Sequence, residues 1–286
     1  MVEAIITHNI VPLLREPRSG SEQISQSVLG ESVLLLERQN TFSRIQTEDG
    51  YEGWCWSHHL RPYHRSSQES EVAWGSNLEQ GIWHHVVIPI APMRHRPHPN
   101  SGIITQLVFG TFVAARSAQE TPEAFIRVEI PDSRNREDLF QSGYVDANAL
   151  VRCDGYPAFN GETACEIAQM FLGTPYLWGG GTPFGFDCSG FVHRIYRYFG
   201  IVLPRDAYQQ VESPLLEPIP NGASFQAGDL LFFGSELDPE QRGITHVGMA
   251  LNTELFVHAS SKEGVTVTPM LDSYYQQVYR TARRFH

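Results

Sequence analysis

The sequence predicts an α+β domain preceded by two small all-β barrels. Three observations carry this. Short apolar runs broken by Pro, Gly and Asp fill the first half of the chain, as strands joined by turns do. A ten-residue pattern in that half recurs about eighty residues further on. After Cys153 the chain changes to a run at helical spacing, a glycine-rich turn, a second helical run and then strand-length apolar runs. The expected domains are 1–65, 72–152 and 153–286, which a chain of 286 residues can hold.

In the first barrel, Ile24 to Leu29, Val33 to Leu36 and Phe42 to Ile45 are punctuated by Pro17-Arg18-Ser19-Gly20, Gly30 and Glu48-Asp49-Gly50. It closes on Gly50-Tyr51-Glu52-Gly53-Trp54, a turn followed by an aromatic strand. Ile24 to Val33 lines up with Ile104 to Val113, Pro17 with Pro97, Gly50-Tyr51 with Gly143-Tyr144 and Leu60 with Leu150. Two copies are too few to stack as a solenoid, so each is read as one barrel. His64 to Gly75 is polar and reads as the linker between them.

Composition excludes several classes of function. A net charge of −11 disfavours nucleic acid or an anionic membrane as partner. No apolar run reaches the ~20 residues that span a bilayer. Met1 to Ile10 lacks a basic stretch followed by an apolar core, so a cytoplasmic protein is expected. Cys55, Cys153, Cys165 and Cys188 show no close pairing, so neither a metal site nor a disulfide framework is expected, and no cofactor. Lys262 is the only lysine.

The chemistry concentrates in the third part. Glu162 to Leu172 reads as a helix stopped by Gly173. The turn Leu177-Trp178-Gly179-Gly180-Gly181-Thr182 then leads into Phe186-Asp187-Cys188-Ser189-Gly190-Phe191 and a helix from Phe191 to Phe199. Cys188 therefore falls at a helix N-terminus, where exposed amides and the dipole favour a thiolate. Asp187 precedes the thiol and is placed to cap the helix. Asp206, after Pro204-Arg205, begins a short helix through Val211, which its carboxylate would cap. Strands are expected over Asp229 to Phe233, Ile244 to Leu251, Leu255 to Ala259, Gly264 to Thr268 and Gln277 to Phe285.

A cysteine nucleophile needs a base, and the base needs an orienting group. His246 shares a strand face with Gly248 and Ala250, two small residues that leave room for a ligand, while Val247, Met249 and Leu251 face the core. A tight turn at Asn252-Thr253-Glu254 then brings His258 back beside the His246 strand, where one imidazole can fix the tautomer of the other.

The barrels resemble bacterial SH3 (SH3b) domains, through the Val-x-x-Gly-x-x-Val strand pair and the terminal Gly-Tyr-x-Gly-Trp element. The second copy has Gly-Tyr-Val-Asp there. Gly173-Thr174-Pro175-Tyr176-Leu177-Trp178-Gly179-Gly180, Phe186 to Phe191, Gly228-Asp229-Leu230-Leu231-Phe232-Phe233, Thr245-His246-Val247-Gly248 and Val257-His258-Ala259 together resemble the NlpC/P60 family of papain-like cysteine peptidases, over roughly residues 153 to 286. The resemblance implies Cys188 as nucleophile, His246 as general base and then acid, and His258 as the orienting residue. It implies Tyr176 near the thiol, polarising the scissile carbonyl, with the backbone amides of Cys188 and Ser189 as further oxyanion donors.

Family members cut the γ-D-glutamyl bond to a diamino acid in cell-wall peptides. Barrels ahead of the catalytic domain resemble the subset called γ-D-glutamyl-L-diamino acid endopeptidases, which act on free murein peptides with an unblocked L-Ala. A buried acid must then pair with the substrate ammonium, and Asp206, in Leu203-Pro204-Arg205-Asp206, is the main candidate. Arg205, Asp187, Glu16 (in the loop after the first strand) and Tyr51 are the other residues expected around the substrate. The second barrel has Arg96 where the first has Glu16, so it is assigned a packing role. Two other readings stay open: an endopeptidase on intact peptidoglycan with the barrels as wall anchors, and a non-catalytic wall-peptide binder.

Overall fold

The computed structural model describes residues 2–63, 82–115, 124–132, 140–234 and 243–286; the expected linker, His64 to Gly75, lies outside them. The chain divides into two compact units, Met1–Tyr156 and Pro157–His286.

In the first unit β1 (Val2–Ile6), β2 (Ile10–Leu14), β3 (Gln23–Val28), β4 (Ser32–Gln39), β5 (Phe42–Gln46), β6 (Glu52–Trp56) and β7 (Leu60–Tyr63) pair in the order β3-β2-β6-β5-β4-β1-β7. A second set, β8 (Ile82–Val86), β9 (Ile90–Arg94), β10 (Ile103–Val108), β11 (Phe112–Ala115), β12 (Phe125–Pro131), β13 (Phe140–Asp146) and β14 (Leu150–Cys153), repeats that order as β10-β9-β13-β12-β11-β8-β14. Alternation of side chains along each strand fills two apolar cores, one around Ile6, Leu13 and Ile45, the other around Met93, Leu107 and Val128. Leu29 of the first set packs into the second core, and Arg61 Nη1 donates to the Asp132 carbonyl at 2.6 Å.

Two details of the sequence alignment are corrected. Glu16 follows the second strand, because the chain already reverses between Ile6 and Ile10. The counterpart of Gly143-Tyr144 is Gly53-Trp54, three residues beyond Gly50-Tyr51. Trp54 pairs with Leu14, and Tyr144 with Arg94, which stands where Leu14 does in the first set. The cause is steric. A Cβ on Gly53 would lie 2.8 Å from Leu13 Cβ, and one on Gly143 2.5 Å from Met93 Cε. Only glycine admits strands crossing that closely. Glu16 and Arg96 do occupy equivalent corners: the backbone N–H of each donates to a serine hydroxyl, Ser21 and Ser101, at 3.0 Å.

The second unit carries α1 (Gly161–Gln169), β15 (Gly181–Thr182), β16 (Gly185–Phe186), α2 (Cys188–Tyr198), α3 (Ala207–Gln210), β17 (Leu216–Pro218), β18 (Leu230–Phe233), β19 (His246–Ala250), β20 (Leu255–Ser260), β21 (Gly264–Pro269), α4 (Ser273–Val278) and β22 (Tyr279–Phe285). Its main sheet is antiparallel, in the order β17-β22-β18-β19-β20-β21. Helix α2 buries Phe191, Val192 and Ile195 against this sheet, and Tyr196 donates its hydroxyl to the Gly228 carbonyl at 2.7 Å. Asn160 caps α1 by accepting from Thr163 N–H at 2.9 Å.

Three expectations shift here. Helix α2 starts three residues early, at the thiol itself. Helix α1 ends at Gln169, short of Leu172. The segment expected as a strand from Gln277 begins as α4, because Asp272 Oδ1 accepts from Tyr274 and Tyr275 N–H at 3.0 and 3.2 Å and nucleates a turn. No helix among the described residues is long and apolar enough to cross a membrane.

Candidate active site

Cys188 is the first residue of α2, and Asp187 caps it, Oδ1 accepting from Gly190 N–H at 2.7 Å. The other carboxylate oxygen accepts from Gly179 N–H at 2.9 Å, so the glycine-rich turn is tied to the helix start. Gly190 is the close-approach position of that junction: a Cβ there would lie 2.1 Å from the Gly180 carbonyl oxygen. Arg205, 4 % exposed, donates to both carboxylate oxygens of Asp187, at 3.0 and 2.7 Å, and to Ser189 Oγ at 3.0 Å. Arg205 and Asp187, both expected around the substrate, thus face each other beneath the thiol.

On the opposite wall His246 Nε2 lies 2.8 Å from His258 Nδ1, and His258 Nε2 lies 3.0 Å from Thr268 Oγ1. The β19–β20 hairpin pairs Ala250 with Phe256 and Met249 with Val257, and β21 pairs Thr266 with His258, which puts Thr268 two residues along on the same face. Gly248 is small for a reason other than ligand space. A Cβ there would sit 2.8 Å from Phe256 Cδ2 and 3.2 Å from His258 Cβ, so the orienting histidine itself fills that space. The Tyr275 ring of α4 packs over both imidazoles, its centroid 6.0 Å from His246 and 5.0 Å from His258.

The backbone at Val247, the residue after His246, and at Ser189 favours the anionic form of the Cys188 sulfur. Burial nonetheless pushes the thiol up to about 12, aided by the Asp187 charge; those two amides and Arg205 pull less strongly the other way. Burial also lowers His246 to about 4 against the opposing pull of Asp187, and lowers His258 to about 3 with help from His246. Burial thus works against the thiolate that the helix terminus favours. Tyr176 is joined to Phe186 by an isolated bridge, and burial followed by the Cys188 charge raises its phenol, which stays an O–H donor.

A cleft of about 490 Å³ opens beside the histidines, lined by Tyr176, His246, His258, Thr268, Lys262 and Tyr275 among others. Asp206 precedes α3, is half-buried, and makes no side-chain capping bond, contrary to the expected cap. Glu16 and Tyr51 belong to the first unit; there Glu16 Oε2 accepts from Arg18 Nε at 2.6 Å, an exposed pair. Sequence reasoning missed Thr268 and Tyr275. Strand alternation from His258 through the β20–β21 turn could have singled out Thr268; nothing local marked Tyr275.

A thiol at the first turn of a helix, packed on an antiparallel sheet that carries a hydrogen-bonded histidine pair, is the layout of a papain-like cysteine peptidase. The NlpC/P60 family pattern matches residues 173–284, and the bacterial dipeptidyl-peptidase SH3 domain pattern matches residues 13–60. The chain is 37% identical over 275 residues to a gamma-D-glutamyl-L-lysine dipeptidyl-peptidase of Bacillus cereus, covering 91% of this chain and 74% of that protein. It is 28% identical over 245 residues to the protein of the same name from Bacillus subtilis, covering 76% of this chain and 80% of that one. The crystal structure of an NlpC/P60 family protein from Bacillus cereus shares the fold, with a TM-score of 0.81 at 22% identity and 99% of each chain covered. The chain belongs to the NlpC/P60 family of cysteine peptidases.

Proposed function

We propose that this peptidase hydrolyses the γ-D-glutamyl–diamino acid bond of free murein peptides with an unblocked N-terminal L-Ala, in the recycling of cell-wall peptides. The observation that carries the reading is the hydrogen-bonded line His246–His258–Thr268 opposite a thiol at the start of α2. Likeness over 76% and 91% of the chain to two dipeptidyl-peptidases named for that bond supports the substrate.

In this reading Cys188 Sγ attacks the γ-carbonyl of D-Glu while its proton passes to His246. With Nε2 turned to His258, the accepting nitrogen is Nδ1. One set of tautomers serves every position: His246 Nε2–H donates to His258 Nδ1, and His258 Nε2–H donates to Thr268 Oγ1. The Tyr176 hydroxyl and the Cys188 and Ser189 amides stabilise the oxyanion. Protonated His246 hands its proton to the departing amine, and water then releases L-Ala-D-Glu from the acyl-enzyme.

Asp206, the residue before α3, is the acid for the substrate ammonium. Arg205 and Asp187 position the thiol and Ser189 rather than touching substrate. Both sheets of the first unit are taken as SH3-like domains, over 1–65 and 72–152, the second packing against the first, with the peptidase over 153–286.

The test compares the free tripeptide L-Ala-γ-D-Glu-L-Lys with its N-acetylated form. Wild-type protein cleaves the free peptide and Cys188→Ala cleaves neither. Equal cleavage of both forms would remove the ammonium pocket, and turnover by Cys188→Ala would remove the nucleophile.

A further inference from the structure

We propose that His8, His58 and His59 form a site for a divalent transition metal, of the zinc, nickel or copper type, at one end of the first barrel. Their donor nitrogens all lie within 4.8 Å of one another. The ring centroids stand 5.6, 4.5 and 4.3 Å apart. A tetrahedral zinc ion holds imidazole nitrogens at ~2.0–2.1 Å, hence about 3.3 Å apart, so modest side-chain rotation closes the set.

Thr7 fixes one ligand in the required form. Its hydroxyl donates its single hydrogen to the His59 carbonyl at 2.9 Å. Toward His8 Nδ1, 3.2 Å away, that oxygen can therefore only accept. His8 then carries its proton on Nδ1, so Nε2 is its lone-pair nitrogen, the form a ligating histidine takes when an outer hydrogen bond holds it. His59 supplies a second sign of a ligand. Its Nδ1 is buried and has no hydrogen-bond partner among the described residues. Such a nitrogen is costly to leave unpaired, and an ion bound by the ring cluster offsets that cost. Neutral imidazoles without a carboxylate suit zinc, nickel or copper rather than magnesium or calcium, and three ligands leave a fourth position for water. The ion would clip the β1–β2 turn to the turn before β7. Cysteine spacing could not announce this site, because its ligands are histidines and His8 lies about fifty residues from the adjacent pair His58 and His59.

Zinc titration of the full chain carrying Cys188→Ala, which removes the reactive thiol as a competing ligand, tests the site by calorimetry, with cobalt(II) absorption reporting geometry. The expected result is one ion per chain with tetrahedral cobalt bands. His58→Ala, at an exposed side chain, weakens binding by about tenfold or more, and Thr7→Val by roughly tenfold, with the far-ultraviolet circular dichroism unchanged. Absence of zinc uptake, or equal uptake by His58→Ala and His59→Ala, overturns the proposal.

A separate observation supports a second inference, which rests on the peptidase reading. Lys262, the only lysine of the chain, lines the cleft that His246 and His258 line, and among its described lining residues no other carries a positive charge. Its backbone N–H is held by Ser260 Oγ at 3.2 Å. His246 protonates the departing amine, so the residue that leaves must occupy the cleft His246 lines. We infer that Lys262 binds the α-carboxylate of that leaving diamino acid, with Glu263 of the same cleft facing its side-chain ammonium. Wild type and Lys262→Met are compared on the free-acid tripeptide and its C-terminal amide. Lys262→Met raises KM about tenfold on the acid, leaves kcat unchanged, and has no effect on the amide. Equal KM for both proteins on the acid overturns the assignment of Lys262 while leaving the N-acetyl discrimination intact. Absence of cleavage of both peptides by wild type overturns both readings.

Discussion

Arg205 clamps both oxygens of Asp187, Nη2 donating to Oδ2 at 2.7 Å and Nη1 to Oδ1 at 3.0 Å, immediately beneath the residue that starts the nucleophile helix. The pair is buried, with side chains 4% and 9% exposed. Removing one partner leaves a buried charge uncompensated, which costs ~3–5 kcal/mol. Arg205→Met is therefore expected to lower the unfolding free energy of the peptidase unit, read from urea titration, by that amount and to abolish activity. A loss under ~1 kcal/mol would place the pair among solvent-screened contacts instead.

Thr268 holds the far end of the histidine line. Thr268→Val keeps the shape and removes the acceptor for His258 Nε2–H. The loss of one hydrogen bond, ~1–1.5 kcal/mol, corresponds to about tenfold in kcat. KM should stay unchanged, and Thr268→Ser should restore the rate. A rate for Thr268→Val equal to wild type would detach Thr268 from the tautomer of His258.

Burial sets the titration of the thiol. With Cys188 pushed up to about 12 and His246 down to about 4, the resting enzyme holds little thiolate at neutral pH. Inactivation by iodoacetamide is expected to keep rising with pH beyond about 9, where an unperturbed thiol of pKa ~8.5 levels off. A plateau near neutrality would mean a preformed thiolate–imidazolium pair.

The same burial links stability to pH. His246 and His258 titrate at about 4 and about 3 in the folded protein, against ~6.5 unfolded. Between these values the unfolded chain binds more protons, so stability falls as pH falls from ~6.5 toward 4. The thermal midpoint of the peptidase unit should drop across that window, and His258→Gln should show a shallower drop. Identical slopes would assign the acid sensitivity to other groups.

The sequence alone placed Cys188 at the head of a helix and the two histidines in order on a hairpin. Those depend on near neighbours: Asp187 caps a helix that Cys188 begins, and the turn at Asn252 folds His258 back by local geometry. The repeat likewise announced two sheets of one strand order. Tertiary structure alone decided the rest. Arg205 meets Asp187 across 18 residues. Tyr275 covers the histidines from a helix, capped by Asp272, whose last two residues the sequence assigned to a strand. The repeat register is set where Leu13 and Met93 press on glycine. Helical and strand periods report which face a residue takes, but not what approaches that face from elsewhere in the chain. Burial arises from such long-range packing, and at Cys188 it raises the thiol against the pull of the helix-terminal amides.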